Sequence, residues 1–144
     1  MKLSLESIIR LNVGLSQLDG YDKIVKQGET ERVVRVYYKL TAGFRLAMAM
    51  NLDRLQPIVS AYNKARNNII LELSEGSGKV PDDKNAEFNS QDVDILDEIH
   101  TIKLTKIKEN ELDLDNNPIP VSTLALLKVL LPKQPEPEDT DVEE

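Results

Sequence analysis

Residues 30–74 of the chain read TERVVRVYYKLTAGFRLAMAMNLDRLQPIVSAYNKARNNIILELS. Apolar residues recur through this stretch at intervals of four and three, the spacing of one face of an α-helix. The first series is Val33, Tyr37, Leu40, Phe44 and Ala47, and the second is Leu52, Leu55, Val59, Tyr62, Ile69 and Leu73. Thr30 precedes the first series and can cap the helix. The pattern therefore predicts helix over residues 30–74.

Two features of this stretch compete with a single straight helix. The second apolar series is displaced by one position, and Pro57 lies close to the displacement. An interior proline removes one backbone donor and crowds the carbonyl of Asp53. The stretch is thus either one long kinked helix, which we favour, or two helices broken near residues 51–57. The β-branched Val33, Val34 and Val36 suit a strand, but the helical period runs through them.

Two short segments alternate apolar and polar residues, as half-buried strands do. Residues 1–5 carry Leu3 and Leu5, and residues 101–108, TIKLTKIK, carry Ile102 and Leu104. Because a lone strand is not stable in water, we expect these two segments to pair.

Serines mark the starts of three further predicted helices. Ser7 can cap a helix that ends at Gly20, Ser90 a short helix, and Ser122 a leucine-rich terminal helix. Residues 75–89 are rich in turn formers and predict an exposed connector. The terminal helix is apolar nearly all round, which indicates deep burial or a face kept for a partner. We favour burial.

These elements predict a predominantly α-helical α+β fold. A long kinked helix or helical hairpin packs with shorter helices and a small two-stranded sheet. A chain of 144 residues suits one domain, which we place at residues 1–132. Residues 133–144, KQPEPEDTDVEE, combine six acids with two prolines and predict a disordered tail. Such a tail either docks on a basic partner or, as we favour, only increases solubility.

Composition excludes several classes of function. Without cysteine the chain has no disulfide framework, zinc ribbon or thiol nucleophile. Six aromatic residues are too few for a base-stacking platform. No apolar run approaches the ~20 residues that span a bilayer, and no signal peptide is recognisable. We expect a cytoplasmic protein. A formal net charge of −7 argues against direct nucleic-acid binding.

No complete catalytic or metal-binding set is visible. His100 is the only histidine, and no serine motif accompanies it. The loop from Asp113 to Leu124 begins like a calcium-binding loop, but Pro118 replaces the required glycine and Leu124 the required glutamate. We therefore expect no enzyme and no cofactor.

Three groups of residues are candidates for binding a protein partner, and each has a structural alternative. The first group is a basic ridge on the long helix, which could simply be a solvated helix face. The second is an acidic cluster, which could be explained by its favourable interaction with the helix dipole. The third is a pair of leucines, which could be buried in the core. The candidates are Arg32, Arg35 and Lys39 for the ridge, Asp92, Asp94, Asp97 and Glu98 for the cluster, and Leu126 and Leu130 for the leucines.

The order of these parts resembles that of small uncharacterised proteins encoded by tailed bacteriophages. The resemblance is carried by residues 1–5, Tyr38-Lys39-Leu40, residues 102–108 and residues 119–127. It implies an accessory or morphogenesis protein that works by contact, in the host cytoplasm or in the virion. We expect a non-enzymatic interaction protein with a protein partner, and self-association is open. The alternative is an acidic inhibitor, or nucleic-acid-mimicking decoy, that covers the basic surface of a host or defence protein.

Overall fold

A computed structural model describes residues 1–132 of the chain, and the predicted acidic tail lies outside the described residues. Its elements are β1 (Lys2–Ser4), α1 (Leu5–Ser16), β2 (Tyr21–Gln27), β3 (Thr30–Val36), α2 (Ala42–Leu73), α3 (Asn85–Leu96), β4 (Ile99–Thr101) and α4 (Val121–Leu127). Strand β1 pairs antiparallel with β4, and β2 with β3. The predicted helix-rich α+β class is confirmed, with a second small sheet that the sequence did not predict.

The long helix exists, but it begins at Ala42 and not at Thr30. Thr41 is its N-cap, and the Thr41 side chain accepts a hydrogen bond from the Phe44 N–H at 3.2 Å. The helix runs through Pro57 without a break, so the two-helix alternative is wrong. Pro57 and Asp53 are both exposed, which lets water satisfy the carbonyl that loses its donor. No helix within residues 1–132 has the length and apolar character needed to cross a membrane.

Residues 30–36 form strand β3, so the prediction of helix there is wrong. Their valines are β-branched and lose side-chain freedom in a helix, and the two-residue loop at Gly28 pairs them with β2. The apolar spacing of Val33 and Tyr37 is therefore coincidental. Tyr38-Lys39-Leu40, which the resemblance places inside the long helix, precedes it.

Residues 2–4 form a paired strand, as the sequence predicts, but their partner β4 is Ile99–Thr101. It shares only Thr101 with the strand predicted at residues 101–108, so the prediction of that second strand is wrong. Leu3 lies opposite His100, and the Ile102 N–H donates to the Met1 carbonyl at 2.9 Å. Residues 102–108 continue without strand pairing. The N-cap of α1 is Ser4 instead of Ser7, because the Ser7 N–H donates to the Ser4 side chain at 3.2 Å.

Two other predicted helix starts are also wrong. Helix α3 begins at Asn85, directly after a 3₁₀ turn at Asp82–Lys84, so Ser90 lies inside the helix and the connector is shorter than residues 75–89. Helix α4 begins after Pro120, and Ser122 makes no capping hydrogen bond. Proline at this position fixes φ and lacks an N–H, and both properties suit a helix start.

The core lies where α1 packs between α2 and α4. Its fully buried side chains include Ile8 and Leu11 of α1, Leu55 of α2, and Leu127 and Leu130 at the end of the described chain. Gly14 allows α1 and α4 to approach closely, because a Cβ at this position would lie 2.8 Å from the Leu126 Cβ. Burial of these side chains supplies most of the stabilisation.

Buried asparagines hold the irregular segments against the helices. The Asn51 side chain accepts from the Thr105 N–H and donates to the Thr105 carbonyl, both at 2.9 Å. Asn117 in the same way accepts from the Lys39 N–H at 2.7 Å and donates to the Lys39 and Leu112 carbonyls at 3.0 and 2.8 Å. Each amide thus takes the place of a neighbouring strand.

Candidate protein-interaction surface

The β2–β3 hairpin is the most exposed regular structure in the described chain. Its two-residue loop is Gly28–Glu29, where Gly28 has φ +65°, a conformation that glycine adopts without strain. The Thr30 hydroxyl closes the loop by donating to the Gln27 carbonyl at 2.7 Å. Four β-branched residues in β3 favour the extended backbone. Local sequence alone therefore specifies the hairpin.

One face of the hairpin is a self-contained pattern of three cross-strand pairs. Asp22 lies opposite Arg35, Ile24 opposite Val33, and Lys26 opposite Glu31. The Arg35 guanidinium contacts the Asp22 carboxylate at 3.2 Å. Ile24 and Val33 are 64% and 66% exposed. This face, which we call the Ile24–Val33 face, thus presents an apolar pair between two pairs of opposite charge.

The base of the hairpin is anchored in the body of the molecule. The Tyr21 ring lies 5.7 Å from the ring of buried Tyr38, and burial, together with Tyr21, raises the pKa of the Tyr38 hydroxyl. Arg45 of α2 donates to the Tyr38 carbonyl at 2.7 Å, and Asn117 holds Lys39. Beyond this base, no hydrogen bond or ion pair within residues 1–132 connects residues 22–35 to the rest of the chain.

An apolar groove of about 710 Å³ lies beside helix α4. Leu112, Leu124, Val129 and Leu131 contribute to its walls, with Glu109 and Lys128 beside them. Pro132, the last described residue, also lines it.

The predicted basic ridge does not exist. Arg32 and Arg35 lie on β3, three residues apart, so they face opposite sides of the hairpin, and Lys39 lies in the segment before α2. Arg35 pairs with Asp22, and Arg32 lies opposite Val25. The ridge required a helix at residues 30–39, and these residues form a strand and a connecting segment.

The acidic candidates lie at the C-terminal part of α3 and just beyond it. Asp92 accepts a hydrogen bond from the Tyr62 hydroxyl at 2.7 Å, while Asp94, Asp97 and Glu98 are exposed. Since α3 starts at Asn85, Asp92 and Asp94 are not in its first turn, and the helix-dipole explanation for them is wrong. Residues 1–132 contain no group of three or more acidic or histidine side chains arranged to hold a metal ion.

The terminal leucines and His100 take part in packing. Leu130 is fully buried, so it cannot contact a partner, and Leu126 is half-buried against Gly14. His100 lies on β4 opposite Leu3, with its Nε2 3.6 Å from the Glu98 carboxylate. Burial, the alternative that we favoured for the leucines, fits this arrangement.

The hairpin is the surface that the sequence prediction missed. A signal was present, because Gly28 stands between two β-branched segments at residues 24–25 and 33–36. A glycine in a short polar loop between such segments is typical of a β-hairpin. The helical period of the longer stretch outweighed this local signal.

Comparison with other proteins gives no relative for this chain: no protein-family model, curated protein or solved structure matches it.

Proposed function

We propose that this chain is a non-enzymatic protein-protein interaction protein that binds through the β2–β3 hairpin. The observation that carries the proposal is the hairpin itself: seven residue pairs long, with Ile24 and Val33 exposed and no further strand beside β2 or β3 among the described residues. The bacteriophage accessory or morphogenesis role that the resemblance implies is the proposed setting, in the host cytoplasm or the virion.

Physical chemistry favours the hairpin as a binding element. An isolated two-stranded hairpin is marginally stable in water, and its outer edges carry unpaired N–H and C=O groups. Adding a strand from another chain satisfies these groups and extends the apolar pair on the Ile24–Val33 face with side chains of the partner. The anchored base at Tyr21 and Tyr38 holds the hairpin ready for such a partner at little cost in conformational entropy.

Cross-linking of the full chain in its native host extract tests the proposal. We expect the cross-linked species, whether a second copy or a foreign protein, to disappear in the double variant Ile24→Lys/Val33→Lys. The matched control is Leu46→Lys on α2, a residue that is 63% exposed and outside the hairpin. Cross-links that survive the double variant, or that Leu46→Lys removes equally, would refute binding through the hairpin.

The acidic-decoy alternative is supported by a separate feature. Asp94 on the last turn of α3, Asp97 at its C-cap and Glu98 just beyond it are all exposed, so three acidic side chains follow one another at this end of the helix. A decoy of this kind should lose its partner steeply as salt rises, and also in Asp94→Asn/Asp97→Asn. A partner that the hairpin variant releases, but that high salt and the asparagine variant do not, would exclude it.

A further inference from the structure

We infer that the β3 edge of the hairpin binds the β3 edge of a second copy, antiparallel about a two-fold axis at Val33. This inference rests on the proposed function, since it names the partner of the same surface. It follows from the direction of the free backbone groups, the charges on the Ile24–Val33 face, and the charges that other registers would bring together.

The backbone of β3 determines which residues can bond to a partner. Gln27 and Thr30 close the two-residue loop and exchange backbone hydrogen bonds with each other. Along an antiparallel ladder, pairs that exchange hydrogen bonds alternate with pairs that do not. Thr30, Arg32, Val34 and Val36 therefore bond to β2. Glu31, Val33 and Arg35 direct their N–H and C=O groups toward the free edge. A symmetric pairing can thus be centred on Val33.

In that register the charges of two copies are complementary. Glu31 lies opposite the partner's Arg35, and Arg35 lies opposite the partner's Glu31. Each of the free backbone groups of Glu31, Val33 and Arg35 then finds a partner. Across the four strands, Asp22, Arg35, the partner's Glu31 and the partner's Lys26 form a row of alternating sign. Between the two charged rows, Ile24 and Val33 join the same pair of the partner in one apolar strip.

The symmetric registers centred on the other two outward-facing residues of β3 are disfavoured by like charges. The next positions with outward backbone groups are Glu31 and Arg35, and centring the pairing on either would place it opposite its own copy in the partner. Like charges directly opposite each other destabilise a sheet. The Val33 register therefore pairs opposite charges, whereas the registers centred on Glu31 and on Arg35 each pair like charges.

The β2 edge is the weaker competitor. Pairing about Ile24 would also place Asp22 opposite Lys26 of a second copy. However, β2 carries two lysines, Lys23 and Lys26, and lysine is the residue that most often protects sheet edges. Strand β3 has no lysine and four β-branched residues, which suit a central strand.

Charge reversal tests the register in the full chain. We expect the wild type to dimerise in sedimentation equilibrium, and Glu31→Arg or Arg35→Glu alone to raise the dimer Kd about tenfold or more, because attractive pairs become repulsive. Mixing the two single variants should restore association as a heterodimer, since Arg at 31 then faces Glu at 35. A misfolded hairpin would not be rescued by mixing. Failure of the mixture to associate would overturn the register.

Proline substitution tests which edge is used. Val33→Pro removes an N–H that points to the β3 edge, and its matched control Ile24→Pro removes one that points to the β2 edge. Neither N–H bonds within the hairpin, so both hairpins should keep protected amides at Arg32 and Val34. We expect Val33→Pro to be monomeric and Ile24→Pro to stay dimeric. The reverse result, or equal loss in both, would overturn the inference.

The failure of this inference is distinguishable from failure of the proposed function. A wild type that is monomeric at all concentrations, yet cross-links to a foreign protein in a manner that Ile24→Lys/Val33→Lys abolishes, would refute self-pairing and leave the hairpin as the binding element. A monomer whose cross-links ignore the hairpin variants would refute both.

Discussion

The segment at residues 102–119 and the β2–β3 hairpin are built in opposite ways. The segment contains no strand pairing, yet Ile102, Ile107, Leu112 and Ile119 are buried, and Asn51 and Asn117 fix its backbone. The hairpin has a continuous ladder, yet nearly all of its side chains are exposed. Regular hydrogen bonding and attachment to the core are thus separate properties in this molecule. The segment contributes to the stability of the fold, and the hairpin is available for binding.

The largest effect on stability is expected from removing the Asn51 amide, which fixes residues 102–119 to α2. Asn51→Ala removes two partly buried hydrogen bonds to the Thr105 backbone, and a polar group left buried without a partner costs about 1–3 kcal/mol. We expect the free energy of unfolding to fall by about 2–4 kcal/mol in urea denaturation.

Two controls belong with this measurement. Asn63→Ala changes an exposed asparagine on the same helix, and Val33→Thr changes an exposed residue of the hairpin. Measured on monomer, each should change stability by less than about 0.5 kcal/mol. If Asn51→Ala cost no more than these controls, the segment would not depend on the buried amide.

The fold could be predicted from the sequence where burial sets the apolar pattern. It could not be predicted at the hairpin, where a helical spacing occurs by coincidence, or where buried amides bind distant segments. The second apolar series identified α2 because Leu55 and its neighbours face the core. The first series failed because Val33 is on a hairpin that buries little of it. The backbone roles of Asn51 and Asn117 were unpredictable, since each depends on segments 54 and 78 residues away in sequence.

The next largest effect on stability is expected from a substitution at Gly14, where α1 and α4 approach each other closely. A Cβ at Gly14 would lie 2.8 Å from the Leu126 Cβ, which is fixed to the backbone and cannot rotate away. We expect Gly14→Ala to lower the free energy of unfolding by about 1–3 kcal/mol, although alanine is the better helix former.

Gly43 provides the matched control for this substitution. It lies in the first turn of α2, with nothing within 4 Å of a Cβ. Gly43→Ala should therefore stabilise the protein by about 0.5–1 kcal/mol, and the two variants should differ in sign. Thermal unfolding measures both. If Gly14→Ala stabilised the protein, α1 and α4 would have room for a methyl group between them, and the close approach at Gly14 would be refuted.

The candidate site was less predictable than the fold. The sequence predicts Arg35 on a helical ridge, but its charge belongs to a cross-strand pair with Asp22. It predicts Leu130 on a partner-binding face, but Leu130 is buried. Sequence identified the chemical character of these residues, but the side on which each lies depended on the secondary structure that contains it. The helical period assigned to residues 30–39 therefore places all of the basic candidate residues on a helix face that does not exist.

The smallest predicted effect concerns the contact between α2 and α3. Burial, and the hydrogen bond to Asp92, raise the pKa of the Tyr62 hydroxyl above its usual value near 10. Tyr62→Phe should cost about 0.5–1.5 kcal/mol at neutral pH, because the half-buried Asp92 loses a donor. Tyr37→Phe, at an exposed tyrosine, is the control and should cost less than about 0.5 kcal/mol.

The same pKa gives the pH dependence a definite sign. Below pH 10 Tyr62 is protonated in both the folded and the unfolded state, so its contribution to stability is fully present. As pH rises past 10, the unfolded chain releases the proton before the folded chain does, and stability falls. Urea denaturation between pH 8 and 11 should therefore show a steeper loss for the wild type than for Tyr62→Phe. Tyr38, whose pKa is also raised, is present in both proteins and cancels in this difference. Equal slopes would mean that the Tyr62 hydroxyl titrates alike in both states, and that α3 is attached to α2 by apolar contacts alone.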